Sequence, residues 1–352
     1  MSAPAREMHL AVRADASHDI GYGHIRRTLA VVDRLRAHTN LRVKYLMHPA
    51  SDGAPASAAG CEVARLPDGR AETLAAAVHA LGGPLLIDTY RLTTEQLDQL
   101  HASNLCLCVF DDGCRLARYA AHLVIDVGPG AEAAPYYGLP DTRFCLGVAY
   151  YPLRPEFQST PPRAAPGGAV RRLVVTFGGS DPDDQTARVL ELLAQHRCPW
   201  DVIAILGPGY TGRAADVAGR TPAITLRRDV TDMAALFATA DLAISSASGT
   251  ALELAYLGIP ALHLAISPDQ RCRATALAAA GAGVNLGWHA DVCDEDIWLA
   301  LQALSSDFDR RAAQSRAGRA LIDGRGADRV ARCILAAWQA HAQSMSAGAT
   351  QP

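Results

Sequence analysis

The chain lacks an excess of basic residues, is poor in aromatics, and contains neither a bilayer-length apolar run nor a CxxC pair. Its 33 Lys and Arg stand against 36 Asp and Glu, a formal charge of -3 over 352 residues. That balance removes the electropositive footprint expected of a nucleic-acid or anionic-membrane partner. At 6% aromatic residues the chain is also too sparse in rings for base-stacking platforms. Without a spanning segment, and with no secretory h-region in Met1-Ser2-Ala3-Pro4-Ala5-Arg6-Glu7, the expected compartment is the cytoplasm. Nine cysteines, an odd number without paired metal-type spacing, argue against a zinc centre. Cys106 and Cys108 alternate on one face of an expected strand, Leu105 to Phe110, and read as reduced core residues.

What is present is alternation. At this length two domains are the natural division, and short apolar strands alternate with helical patterns through most of the chain, the pattern of a parallel α/β fold. The first half predicts strands at Leu10–Arg13, Val43–Met47, Leu85–Asp88, Leu105–Phe110, His122–Ile125 and near Phe144–Gly147. Its helices are expected to begin at His24, near Glu72 and near Thr94. Residues 159–169, rich in Pro, Gly and small side chains, form the expected linker, which bounds a first domain at 1–158. A second cycle follows, with strands Arg172–Phe177, Asp201–Leu206, Ile224–Leu226, Asp241–Ser245 and Ala261–Ala265, and a helix Asp184–Gln195. This second domain is expected over 170–341, although the helix Ala327–His341 could equally return to the first. Residues 342–352 are expected to be a disordered tail.

Two segments combine a strand, a turn of small residues and a helix start. The first runs from Leu10-Ala11-Val12 through Asp15 and Gly21-Tyr22-Gly23-His24 into the helix carrying Leu29 to Leu35. Gly21 and Gly23 let a ligand approach the backbone closely, and His24 supplies a group that exchanges protons near neutrality. In isolation a histidine in a first helical turn is more often structural than catalytic. The segment is not a dinucleotide fingerprint, because Arg26 stands where the third glycine of GxGxxG belongs.

The second segment is the strand Asp241–Ser245 followed by Ser246-Ala247-Ser248-Gly249-Thr250 and a helix that Gly258 and Pro260 should end. Small side chains leave N–H groups open to an anion, and the helix dipole favours negative charge there by about 0.3–1 kcal/mol. Glu253, one turn in on the face of Gly249, can accept both hydroxyls of a ribose. Alone, a serine N-cap with a surface glutamate would be an equal reading. The matching turn Gly178-Gly179-Ser180 after the second domain's first strand favours nucleotide binding. Two such sheets facing one another would place these turns across one cleft.

With both segments in view the chain resembles the PseG/SpsG family of UDP-sugar hydrolases. The resemblance rests on Arg13-Ala14-Asp15-Ala16-Ser17, Gly21-x-Gly23-His24, Asp88-x-Tyr90, Asp111-Asp112, Tyr137-Gly138-Leu139, Leu153-Arg154-Pro155-Glu156-Phe157, Gly178-Gly179-Ser180-Asp181-Pro182 and Asp323-Gly324-Arg325-Gly326-Ala327. It implies a two-domain glycosyltransferase-B fold, no metal or cofactor, a small-molecule nucleotide-sugar substrate, and water as the acceptor. It places the active-site histidine on His24, the DxY tyrosine on Tyr90, and nucleotide contacts on Ser248, Gly249, Thr250 and Glu253. The chain departs from the family in having Thr28 where a cysteine is usual, Asp269-Gln270 in place of Asn-Gln, and Val124 to Gly128 in place of an Asn-rich segment. These departures leave the sugar open.

The expected chemistry is proton removal by His24 from a water aimed at the anomeric carbon, with inversion and departure of UDP, whose charge the Ser248–Thr250 backbone would stabilise. Asp15 is assigned to orient the imidazole, with Asp88 and Asp111 as alternatives. Tyr90 would position the water or a sugar substituent, and Gln270 a sugar hydroxyl. Arg13 and Arg154 read either as anion contacts or as ordinary ion pairs, and His263 as a core residue. The competing readings are a glycosyltransferase on the same scaffold, a non-catalytic nucleotide-sugar-binding protein and a non-hydrolysing 2-epimerase relative.

Overall fold

The computed structural model describes residues 7–17, 20–161, 168–228 and 230–348. The chain divides into two compact units, the first holding Met1–Arg154 with Arg325–Pro352, the second Pro155–Gly324.

In the first unit β1 (Met8–Ala14), α1 (Gly23–His38), β2 (Leu41–Met47), α2 (Ala54–Ala58), β3 (Glu62–Arg65), α3 (Ala71–Leu81), β4 (Leu85–Asp88), α4 (Thr94–Ala102), β5 (Leu107–Asp111), β6 (Leu123–Asp126) and β7 (Arg143–Leu146) follow in order. The strands make one parallel sheet of order β3-β2-β1-β4-β5-β6-β7. Its central strands are buried almost throughout because helices cover both faces. Val12, Ala14, Leu86 and Phe110 enter one core with Ile25 and Leu35 of α1. Ala11, Leu85, Ile87 and Val109 enter the other with Leu74 of α3 and Leu97 of α4. Helix α4 starts on a reciprocal cap between Thr93 and Gln96.

The second unit repeats the plan with α5 (Pro155–Ser159), β8 (Arg172–Thr176), α6 (Gln185–Gln195), β9 (Asp201–Leu206), α7 (Ala214–Ala218), β10 (Ile224–Arg228), α8 (Met233–Phe237), β11 (Leu242–Ser246), α9 (Gly249–Leu257), β12 (Ala261–Ala265), α10 (Pro268–Ala279), β13 (Val284–Trp288), α11 (Asp294–Ser306) and α12 (Phe308–Leu321). Its parallel sheet has the order β10-β9-β8-β11-β12-β13. The two α/β architectures expected from the alternation are therefore present.

The boundaries differ from the sequence expectation. The units part after Arg154 rather than at 158, and most of the expected linker, residues 162–167, lies outside the described residues. The terminal helix α13 (Gly326–Gly348) belongs to the first unit, not to a second domain ending at 341. Its Val330, Ala331, Cys333 and Ile334 join the core under α1 and β1, and Arg329 donates to the carbonyl of Ala149. Residues 342–348 continue this helix instead of forming the expected tail, and 349–352 lie outside the described residues. The nine cysteines are free thiols, with Cys106 and Cys108 buried. Among the described residues no helix is long and apolar enough to cross a membrane.

His263 is a core residue, as expected. It is fully buried on β12, its Nδ1 lies 3.0 Å from the Ser245 hydroxyl, and burial pushes its pKa down to about 4. Burial, then the neighbouring His341 and His101, bring His122 down to about 4 as well. Unfolded histidine titrates near 6.5, so acid favours protonation in the unfolded chain. The folded state is therefore expected to keep this contribution above about pH 6.5 and to lose it as pH falls toward about 4, on the order of 3 kcal/mol for His263. Urea midpoints measured at several pH values across that window, with His263→Gln for comparison, check this. A wild-type midpoint indifferent to pH there would contradict it.

Candidate active site

Each sheet has one point where strand order reverses, and ligands of open α/β sheets gather outside the strand ends at such points. In the first unit the reversal falls between β1 and β4, in the second between β8 and β11. The loop leading to His24 follows β1, and Asp88-Thr89-Tyr90 ends and follows β4. The Gly178-Gly179-Ser180 turn follows β8, and Ser246 to Gly249 ends and follows β11. Every turn singled out in the sequence thus lies at its own sheet's switch point.

Gly21 sits at φ +76° and donates to Ser17 O, which turns the chain into α1. Gly23 opens the helix with clear space where a Cβ would be. His18 and Asp19 lie outside the described residues. The His24 side chain is 11% exposed, and its Nε2 stands 4.0 Å from Asp88 Oδ1. Its ring meets the half-exposed ring of Tyr90 edge-on, with centroids 4.5 Å apart.

One helical turn on, Arg27 binds two carboxylates through both edges of its fork. Nε and Nη2 donate to Asp88 at 2.7 and 2.6 Å, and Nη1 and Nη2 to Asp112 at 2.8 and 2.9 Å. The Tyr90 hydroxyl donates to Asp112 Oδ2 at 3.0 Å, which closes a ring of contacts: His24, Asp88, Arg27, Asp112, Tyr90 and back to His24. Burial opposes the Arg27 charge, but Asp112 and Asp88 outweigh it and hold the guanidinium well above its usual pKa. Arg115 lies over the outer face of Tyr90 and donates to its carbonyl.

This geometry replaces Asp15 by Asp88 as the carboxylate beside His24. Side chains alternate along a strand, and Ala14 pairs with Asp88 across the sheet, so Asp88 faces α1 while Arg13 and Asp15 point to the other side. Asp15 Oδ2 lies 2.7 Å from Arg13 Nη1, and Oδ1 accepts the His48 N–H at 2.8 Å. Burial works against its charge, yet Arg13 and the His48 amide hold it below the ordinary carboxylate range. Asp111 is likewise engaged, with Tyr136 and Arg115. The sequence reading assigns no chemical role to Arg27 or Asp112, although Asp112 stands in the Asp111-Asp112 motif and Arg27 lies at i+3 from the histidine.

In the second unit Gly178 sits at φ +91°, and a Cβ there would come within 3.9 Å of Ser246 Oγ, so the two turns are neighbours. Ser180 is partly open to solvent, as are Ser248, Gly249 and Thr250. Ser248 caps α9 by accepting from the Thr250 N–H, and its hydroxyl receives a hydrogen bond from Ser246. Gly258 ends the helix in the left-handed region, as expected. Glu253 is buried one turn inside α9. Gln270 is buried at the start of α10, with its side-chain oxygen committed to the Ile266 N–H at 3.1 Å. Asp181 takes the Gln185 and Thr186 N–H groups and anchors the start of α6, while burial pushes its pKa up.

Behind the Gly178 turn stands Gly207, whose backbone is so close that a Cβ would overlap the carbonyl oxygens of Gly178 and Gly179. Gly207→Ala is expected to displace that turn, costing about 1–3 kcal/mol of stability. Urea unfolding measures this. Wild-type values for the variant would show that the turn has room.

No protein-family model matches the chain. It is 28% identical over 194 residues to the spore coat polysaccharide biosynthesis protein SpsG of Bacillus subtilis, covering 54% of this chain and 57% of that protein. It is 24% identical over 276 residues to the uncharacterized protein MJ1062 of Methanocaldococcus jannaschii, covering 75% and 57%. It is 31% identical over 190 residues to the UDP-N-acetylglucosamine–N-acetylmuramyl-(pentapeptide) pyrophosphoryl-undecaprenol N-acetylglucosamine transferase of Gloeobacter violaceus, covering 48% and 49%. The matches thus span about half the length of these relatives. Among solved structures, MurG of Acinetobacter baumannii superposes with a TM-score of 0.67 at 15% identity, covering 93% of this chain and 99% of that one. The calicheamicin glycosyltransferase CalG4 gives 0.65 at 16%, covering 94% and 98%. The fold is that of the glycosyltransferase-B structures, two parallel-sheet α/β domains, and the likeness to SpsG bears out the resemblance read from the sequence.

Proposed function

We propose that this chain is a nucleotide-sugar hydrolase that releases UDP and a free deoxy- or acetamido-sugar by attack of water at the anomeric carbon. The observation that carries the proposal is the closed ring around His24 at the first sheet's switch point, which sets an imidazole between a buried carboxylate and a half-exposed tyrosine. In its neutral form the imidazole takes a proton from water, and the Asp88 carboxylate stabilises the cation that results. Tyr90, held by Asp112 and Arg115, positions the water or a sugar substituent. The second unit holds the nucleotide: the Gly178–Ser180 and Ser248–Thr250 turns take the diphosphate, and Glu253 the ribose. Charge building on the departing UDP meets backbone donors and the dipole of α9. Gly21, Gly23 and Gln270 contact the sugar. The carboxylate assigned to the imidazole is Asp88 in place of Asp15.

Transfer to an acceptor hydroxyl is the second reading, and the glycosyltransferases among the similar proteins favour it. A panel of UDP-sugars incubated in isotopically labelled water, scored for nucleotide and for free sugar, separates the two. Hydrolysis without any added acceptor, with label in the sugar, supports the proposal. Turnover only on addition of an acceptor supports transfer, and label in the phosphate would move the attack to the pyrophosphate.

A further inference from the structure

We infer that Arg273 is the cation of the second unit's anion-binding turn and recognises the diphosphate directly. The inference rests on the reading above that this unit holds a nucleoside diphosphate. Helix α10 starts beyond the end of β12, the strand beside β11, and Arg273 reaches from it to the turn after β11. There Nη1 donates to the Ala247 carbonyl at 3.1 Å. The side chain is 13% exposed, and its Nε is buried without a hydrogen-bond partner among the described residues. The carboxylate of Asp269 forms a loose ion pair 3.9 Å from Nη1, too long for a direct hydrogen bond, and its side chain is 42% exposed.

A buried guanidinium with an orphaned donor is costly unless something completes its hydrogen bonding. Here the cost falls beside a turn of small residues open to solvent, where a phosphate would meet a charged planar fork of the geometry that arginine matches best. The bond to Ala247 also screens a carbonyl oxygen that would otherwise repel an incoming anion. The sequence signal was faint: Arg273 lies well past the turn it serves, within a helix whose other arginine, Arg271, stacks on Trp288.

An arginine that only fastened α10 to the turn would affect every ligand of the unit alike, whereas one that binds the diphosphate should not. Calorimetric titration of the full chain with UDP, UMP and uridine distinguishes these cases. Arg273→Gln keeps a donor for Ala247 while removing the charge. It is expected to weaken UDP binding by about 10- to 100-fold, UMP by less, and uridine by no more than about twofold. Arg273→Lys should recover part of the loss for UDP. Unchanged UDP affinity in Arg273→Gln, or UDP and uridine weakened equally, would overturn the inference and leave the nucleotide reading intact. Failure of the wild-type chain to bind UDP at all would overturn both.

Discussion

Replacing His24 by alanine is expected to lower the rate of sugar release by about 10²- to 10⁴-fold, the range that a positioned general base contributes. UDP affinity should stay close to wild type, because the residues assigned to the nucleotide all belong to the second unit. The expectation holds whether the attacking group is water or an acceptor hydroxyl, since each must lose a proton as it bonds to carbon. Asp88→Asn should also slow the reaction, because it removes the negative charge 4.0 Å from the imidazole and one of the two carboxylates that hold Arg27 in the ring. Release of UDP and of reducing sugar from the same nucleotide sugar gives the rate, and circular dichroism verifies that the variant is folded. Wild-type turnover by His24→Ala would remove the imidazole from the chemistry and with it the role assigned to Asp88.

The elements most legible from the sequence were those buried on both faces. Leu85–Asp88, Asp201–Leu206 and Ala261–Ala265 form strands over the residues that their apolar runs delimit. The strands that pattern reading missed, Glu62–Arg65 and Val284–Trp288, lie at sheet edges, where partial exposure removes the need for a continuous apolar run. The turns that carry the site were legible because glycine and serine between a strand and a helix have a local meaning. The partner of His24 was not, because choosing among Asp15, Asp88 and Asp111 depends on which face of the sheet each side chain takes, a matter of register between strands far apart in sequence. Arg27 stayed hidden for the same reason: its carboxylates lie 61 and 85 residues away. Helix α13 carries an apolar stripe that either unit's core could have received, and only tertiary packing assigns it to the first.

Arg27→Met should be among the most destabilising single changes in the first unit. The wild-type Arg27 side chain is 14% exposed and serves Asp88 and Asp112, whose side chains are 1% and 7% exposed. Removing it takes away the cation that these two buried carboxylates share, and breaking a buried pair in this way costs about 3–5 kcal/mol. The methionine keeps much of the packing over Phe110, against which the Arg27 fork now lies, so the loss should be electrostatic rather than a cavity effect. Arg27→Lys restores a charge but not a planar fork able to hold both carboxylates, and should fall between the two. If the cost is repulsion between the two carboxylates, adding Asp112→Asn to Arg27→Met should recover part of the stability, giving a non-zero coupling energy of the kind contacting residues show. Urea unfolding of wild type, Arg27→Met, Arg27→Lys, Asp112→Asn and Arg27→Met with Asp112→Asn measures this. An Arg27→Met variant within about 1 kcal/mol of wild type, in the range of exposed ion pairs, would mean that the ring around His24 is not held by this arginine. The geometry assigned to Asp88 and Tyr90 would then need another source.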